Sequence, residues 1–287
     1  MEKTIKRVLA FLAVFTLFFT GLALPTNTKV FAEEDQALEK IKERGVLKVA
    51  IFGDLPPYGY TDEKGNLVGY SVRIAEKLAE ELLGDASKLD IEAVNAEERV
   101  EVLNSDRVDI VLANFTKTPE REKVVDFADP YMKVAIGIAS KKDNLVTDPE
   151  QLKGETVIVT KGTTAEVLFT KEHPDVKLDK YEAKNQEFQA LLDGRGIALA
   201  DDNSYLFPWV KEHPDFEVGI KEFGDIDTIN PAVKKGNESI VKFINESFAK
   251  WGKEGYFEDL YEKELAPFFG DSIQPSDILV DDHLVNE

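Results

Sequence analysis

The chain of 287 residues contains no cysteine, only three histidines, two methionines and two tryptophans. Without cysteine there is no disulfide, no thiol nucleophile, no thiolate-held zinc or iron–sulfur cluster, and no cysteine for a lipid anchor. Three scattered histidines leave little for a histidine-rich metal site, and no cofactor is expected. Positive charge is scarce as well. Thirty-five Lys and Arg stand against 55 Asp and Glu, for a formal net charge of −20. A body so acidic is repelled by nucleic acid and by anionic membrane surfaces, which excludes both as partners. Also absent are a Gly-x-Ser-x-Gly elbow, a His-Glu-x-x-His pair and a glycine-rich phosphate loop. What is present is apolar material, 43% of the residues with 10% aromatic. That is enough for one large domain or two ordinary ones, and too much for a disordered chain.

Residues 1–32 read as a leader rather than as part of the fold. Lys3, Lys6 and Arg7 precede an apolar run from Val8 to Leu24, and Val30-Phe31-Ala32 offers a cleavage site before Glu33-Glu34-Asp35. That order of basic, apolar and small residues marks a secretory signal. A retained anchor is the alternative, although the run falls short of the ~20 residues of a span. Removal takes away four cations and one acid, so the net charge goes from −20 to −23. The remainder is expected outside the cytoplasm, in the periplasm or at the cell surface.

From residue 46 onward, short β-like runs alternate with amphipathic stretches. Val46–Ile51, Leu89–Val94, Val108–Ala113, Thr156–Val159 and Gly196–Ala200 read as strands. Ile74, Ala75, Leu78, Ala79, Leu82 and Leu83 recur at helical spacing behind a Ser71 cap, and Asn185–Leu192, Asn203–Glu212 and Ser239–Tyr261 read as further helices. This alternation predicts an α/β fold with mainly parallel strands. Extended segments at 132–138 and 226–233 read as two crossovers. The expected layout is a discontinuous first lobe, 33–136 plus 229–287, and an inserted second lobe, 137–228. The acidic tail after Pro275 is expected to be loosely held. The repeated Lys-Glu-His-Pro-Asp at 171–175 and 211–215 reads as two helix ends rather than as a metal pair.

One segment carries chemistry on its face. In Ala113-Asn114-Phe115-Thr116-Lys117-Thr118-Pro119-Glu120-Arg121 a strand ends, backbone N–H groups and a hydroxyl follow, and an arginine stands at an expected helix start. Parallel strands deliver ligands at their carboxyl ends. Helix N-termini and guanidinium groups both bind anions, and the planar guanidinium fits a carboxylate. Taken alone, Arg121 reads more readily as a surface residue paired with Glu120 or Glu122.

The wider pattern changes that reading. In order come Asp54-Leu55-Pro56-Pro57-Tyr58, Gly69-Tyr70-Ser71-Val72, Val108-Asp109-Ile110 through Arg121, and Val125-Asp126-Phe127-Ala128-Asp129-Pro130-Tyr131. Then come Leu152-Lys153-Gly154, Gly162-Thr163-Thr164 and Ala200-Asp201-Asp202. Across residues 39–270 this set resembles the family 3 extracellular solute-binding proteins, amino-acid receptors of ABC importers. The resemblance implies a two-lobed periplasmic-binding-protein-like fold of type II, with two hinge strands. It also implies capture of a polar amino acid, cysteine or glutamine by the spelling of the 114–121 and 161–164 segments, and delivery to an ABC permease by a monomer.

By the same resemblance, Arg121, Thr116 and the Asn114 backbone hold the ligand carboxylate from one lobe, and Thr163 and Thr164 from the other. Asp202 accepts from the ammonium, Tyr58 and Tyr70 sandwich the ligand stem, and Asp54 and Thr160 line the side-chain pocket. Packing roles for the tyrosines, a turn cap for Asp54 and a helix cap for Asp202 are the plainer alternatives. Asp201, an additional acid, is expected to disfavour an anionic side chain. The chain is read as a binding protein and not an enzyme. A dehydratase acting on arogenate-like substrates on the same scaffold and an amino-acid sensor without transport are the rivals.

Overall fold

The computed structural model describes residues 36–270 and 273–283; the leader expected at 1–32 lies outside them. Two five-stranded sheets organise the chain. The first has the order β5-β1-β6-β13-β7, where β1 is Leu47–Ile51, β5 Leu89–Ala93, β6 Ile110–Val111, β7 Val125–Phe127 and β13 Ala232–Lys234. The second has the order β10-β9-β11-β8-β12, where β8 is Met132–Lys141, β9 Thr156–Thr160, β10 Lys177–Tyr181, β11 Ala198–Asp202 and β12 Phe216–Ile229. A small antiparallel sheet of β2 (Asp54–Leu55), β3 (Gly59–Thr61) and β4 (Leu67–Val68) flanks the first.

The fold is the expected two-lobed α/β architecture, with one correction to the strand directions. Parallel pairing is confined to β5-β1-β6 and β10-β9-β11, while β13, β7, β8 and β12 all pair antiparallel. The reason is connectivity. Strands that return directly from the other sheet need no helical crossover, so they run against their neighbours. The chain leaves the first sheet after Phe127 and returns before Ala232. Between those points Met132, Lys133 and Val134 of β8 pair with Ile229, Thr228 and Asp227 of β12.

Burial explains the strands. Leu47, Val49, Ala50 and Ile51 are all buried, as a parallel strand covered on both faces requires. In β9, Val157 and Val159 join a small core with Phe169 and Ala200, while Ile158 faces the large core with Leu199 and Leu206. The helix Tyr70–Leu83 buries Ile74, Ala75, Leu78 and Ala79. Its start departs from expectation. Gly69, not Ser71, occupies the cap, with φ at 117°, and Ser71 is buried inside the first turn. The Tyr70 and Ser71 N–H groups donate to the Pro57 and Tyr58 carbonyls at 3.0 and 2.9 Å. A Cβ at residue 69 would sit 2.6 Å from both oxygens, so only glycine admits this approach.

The helix expected at Pro119 is only the 3₁₀ turn Arg121–Lys123, too short to present a helix dipole. The C-terminal helix ends at Lys253, and a new one starts at Tyr256 after Gly255, whose φ is 73°. The tail is not loosely held through residue 283. Ile278 and Leu279 are buried, and His283 stacks on Phe257 with centroids 3.7 Å apart. Its apolar residues outweigh the acidic ones that suggested a solvated segment. His173 and His213 each follow a helix end, with backbone N–H groups bonded to Phe169 and Trp209.

Candidate functional site

Between the two sheets lies a cleft of about 250 Å³, counting space open to solvent. From the first-sheet side come the segment after β6 and the short helix Arg99–Asn104. From the second come Thr163 and Thr164 after β9, Asp201 and Asp202 at the end of β11, and Lys184 at the start of the helix Lys184–Leu192. Both groups follow strand ends, where an α/β sheet leaves a crevice.

Arg121 is where the sequence placed it. Its guanidinium donates to the Thr116 carbonyl at 2.7 Å and to the Gly162 carbonyl at 2.9 Å. The remaining guanidinium N–H groups have no acceptor among the described residues. Arg99 is a cleft residue that the sequence reading missed. It is 3% exposed and commits four donations to carbonyls: Ala96 (2.8 Å), Ala113 (3.1 Å), Asn114 (3.0 Å) and Gly162 (2.9 Å). Both guanidinium groups lie over the Phe115 ring, 4.4 and 4.6 Å from its centroid. Neither forms a salt bridge among the described residues. Burial, followed by the like charge of Arg121, pulls the Arg99 pKa down to about 9. Burial pulls Arg121 down to about 10, against the attraction of Asp202 and Asp227. A buried and a half-buried cation, neither with an acid partner among the described residues, constitute a candidate anion site.

Asn114 turns the chain in the left-handed region, φ 42°, which asparagine tolerates better than most residues. Its buried side-chain amide faces the cleft without a hydrogen-bond partner. Thr163 caps the helix Thr164–Glu172: its hydroxyl accepts from Glu166 N at 3.2 Å and donates to the Thr160 carbonyl at 2.7 Å. With the hydroxyl occupied, the free N–H groups of that helix start are what Thr163 and Thr164 bring to the cleft.

Asp202 occupies the cap position of the helix Asn203–Glu212, yet its carboxylate makes no capping bond. Burial, and then the neighbouring Asp201 charge, push its pKa up to about 7 against the pull of Lys184, Arg99 and Arg121. It is a buried acid facing cations it does not touch. Asp201 differs. Its Oδ1 accepts from the Asp202 N–H at 2.8 Å, and its Oδ2 is bonded to the Lys184 ammonium. The sequence reading expected Asp201 to disfavour an anionic side chain by its charge; the structure pairs that charge with Lys184.

Lys184, 3% exposed, also donates to the Tyr205 hydroxyl at 2.6 Å and lies 3.6 Å from Glu187. Burial would depress its pKa, but Asp201 and Glu187 more than offset this and raise it. Burial drives the Glu187 carboxyl well above its ordinary range, against the pull of Lys184. Phe52, Leu55 and Tyr205 supply the apolar walls.

Of the residues implied by resemblance, Asn114, Thr116, Arg121, Thr163, Thr164 and Asp202 line this cleft together. Four do not. Tyr58 is buried in the core, its hydroxyl bonded to the Ser204 carbonyl at 3.0 Å. Tyr70 is fully buried against Tyr58 and Tyr131. Thr160 is buried and donates to Glu187 at 2.5 Å. Asp54 accepts from Asn185 N at 3.2 Å in a separate groove. The aromatic wall falls to Phe52 and Tyr205 instead. No group of three or more acid or histidine side chains arranged for a metal occurs among the described residues.

The family model described as "Bacterial extracellular solute-binding proteins, family 3" matches residues 47–266. A cysteine-binding protein from Campylobacter jejuni superimposes with a TM-score of 0.84 and 48% identity, over 85% of this chain and 98% of that one. A solute receptor for L-cysteine from Neisseria gonorrhoeae gives 0.83 and 48%, over 85% and 99%. The ABC transporter glutamine-binding protein GlnH of Bacillus subtilis (strain 168) is 30% identical over 228 residues, 79% of this chain and 83% of its own length.

Proposed function

The chain belongs to the bacterial extracellular solute-binding proteins, family 3, and from that premise we propose that it captures a polar amino acid outside the cytoplasm and delivers it to an ABC permease. One observation carries the reading. A buried guanidinium, Arg99, and a half-buried one, Arg121, neither with an acid partner among the described residues, face the buried Asp202 carboxylate, which makes no capping bond; this is the complement of a zwitterion. A zwitterion leaving water needs both charges met, or desolvation defeats binding. Arg121 and the N–H groups at Thr164 meet the carboxylate, and Asp202 meets the ammonium. Phe52, Leu55 and Tyr205 exclude water and strengthen both attractions.

Cysteine and glutamine are favoured, because the matched relatives are named for them. The lobe limits are taken as 33–136 with 229–287 and 137–228. The paired strands β8 and β12 act as the hinge, and ligand contacts from both sides favour closure. Export follows from the leader-like first 32 residues; among the described residues no helix is long and apolar enough to cross a membrane. The protein acts as a monomer.

A thermal-shift screen of the twenty amino acids and cystine tests this. A true ligand at about 100 times its Kd stabilises by about 2.7 kcal/mol. A flat response to every one of them defeats the proposal. Conversion of arogenate during the same incubation would move the protein to the dehydratase reading.

A further inference from the structure

The Lys184–Asp201 pair belongs to the cleft wall but has no obvious partner in the ligand backbone. Arg121 and Asp202 already answer the two charges that every amino acid carries. No hydrogen bond or ion pair joins Lys184 or Asp201 to Arg121 among the described residues. Lys184 instead lies 5.9 Å from the Phe52 centroid and 4.8 Å from that of Tyr205, beside the apolar wall. On the amino-acid-binding reading, the variable part of the ligand lies against this wall once its carboxylate and ammonium are held at Arg121 and Asp202.

The pair is nearly saturated. Both Asp201 oxygens are occupied, one by the Asp202 N–H and one by Lys184. Lys184 is bonded to Asp201 and Tyr205, with Glu187 third at 3.6 Å. Glu187 is itself tied to Thr160 and sits fully buried. This end of the cleft therefore holds a cation and an anion already bonded to each other, with the Glu187 carboxyl behind them, and neither Lys184 nor Asp201 is free to neutralise a charged guest. Burying a charged side chain against such a wall costs its hydration with nothing in return.

Building on the amino-acid-binding reading, we infer that the Lys184–Asp201 ion pair is the specificity determinant that restricts this cleft to amino acids with uncharged side chains, rejecting basic and acidic ones alike. Discrimination of this kind works by mismatch rather than by attraction. Removing one partner exposes the other, so each single substitution should invert the rejection of one charge class. Lys184→Met leaves Asp201 to attract a cationic side chain. Asp201→Asn leaves Lys184 to attract an anionic one. The double variant restores a wall without unpaired charge.

Calorimetry on the purified protein decides it, with L-cysteine, L-serine and L-glutamine as neutral probes. L-2,4-diaminobutyrate and L-ornithine are the cationic probes, and L-aspartate and L-glutamate the anionic ones. The wild type should prefer the neutral set at least tenfold over both others. Lys184→Met should shift the cationic-to-neutral ratio by at least tenfold toward the cations. Asp201→Asn should do the same toward the anions, and the double variant should rank neutral probes first again. Melting curves establish that each variant folds; if Lys184→Met does not, Asp201→Asn and the double variant carry the test. A wild type that binds neutral amino acids, with folded variants that keep its ratios, overturns the role of the pair. A wild type that binds no amino acid of any class instead overturns the binding reading beneath it.

Discussion

Arg99 and Arg121 donate to one and the same oxygen, the carbonyl of Gly162, each at 2.9 Å. The arginines come from the first-sheet side of the cleft and the glycine from the second, so the shared acceptor ties the two sides together at the floor of the site. The two donors nonetheless differ in what remains. Arg99 spends four donations on carbonyls, whereas Arg121 spends two.

Substituting them should therefore separate folding from binding. Arg121→Ala leaves a bound carboxylate without its cation, which costs about 3–5 kcal/mol, or two to four decades of affinity. Arg99→Ala strands buried carbonyls, each worth about 1–3 kcal/mol, and should lower the melting temperature more than Arg121→Ala does. Calorimetry paired with thermal unfolding measures both. Equal losses of stability in the two variants would contradict the division of labour.

Gly162 itself is constrained. Its φ is 76°, and a Cβ there would lie 3.1 Å from the Glu97 backbone nitrogen across the cleft. Gly162→Ala should cost on the order of 1–3 kcal/mol of backbone strain in open and closed forms alike, and the added Cβ contact with Glu97 should weigh on the closed form alone and lower affinity. Small-angle scattering should show a larger radius at saturating ligand than the wild type has. An unchanged Kd would remove this contact from the closing motion.

Asp202 makes binding pH-dependent. With its pKa raised to about 7, the carboxylate is increasingly protonated below that pH and no longer charged to receive an ammonium. Affinity should fall by up to about tenfold per pH unit below pH 7, and Asp202→Asn should be weak and flat over the same range. Unliganded stability moves the other way. The folded chain holds this proton between about pH 4 and 7 while the unfolded chain has released it, so the group opposes folding above pH 7 and ceases to as pH falls toward 4.

His283 acts in the opposite sense. Burial lowers its pKa to about 4, and it sits between the Phe257 and Phe248 rings with Nδ1 unpartnered. Its neutral form contributes stability that is complete above pH 6.5 and lost as pH falls toward 4. His283→Phe should remove that loss. Acid denaturation curves of the two proteins, superimposable below pH 6, would show that the tail does not depend on the imidazole.

Much of this candidate site was legible through the family resemblance, whose motifs are local in the sequence. Asp202 ends a strand and opens a helix within a few residues, and Arg121 stands five positions beyond Thr116 at the close of another strand. Arg99 and Lys184 were not legible. Each begins a short helix in a polar run, where the sequence reads as solvated surface. Their burial comes from groups far along the chain: Gly162 for one, Asp201 and Tyr205 for the other. Tyr58 and Tyr70 failed for the converse reason. An aromatic motif marks a place in the fold, but whether the ring faces a guest or the core depends on ångström-scale packing against Tyr131 and Ser204.

The wall formed by Phe52, Lys184 and Tyr205 has a consequence for handedness. On the proposed reading an occupant is held at its carboxylate by Arg121, at its ammonium by Asp202 and at its side chain by this wall. The mirror image of a natural amino acid can satisfy any two of them, but its third substituent then points away. Chiral selection thus needs no dedicated residue; it comes from the three holds acting together.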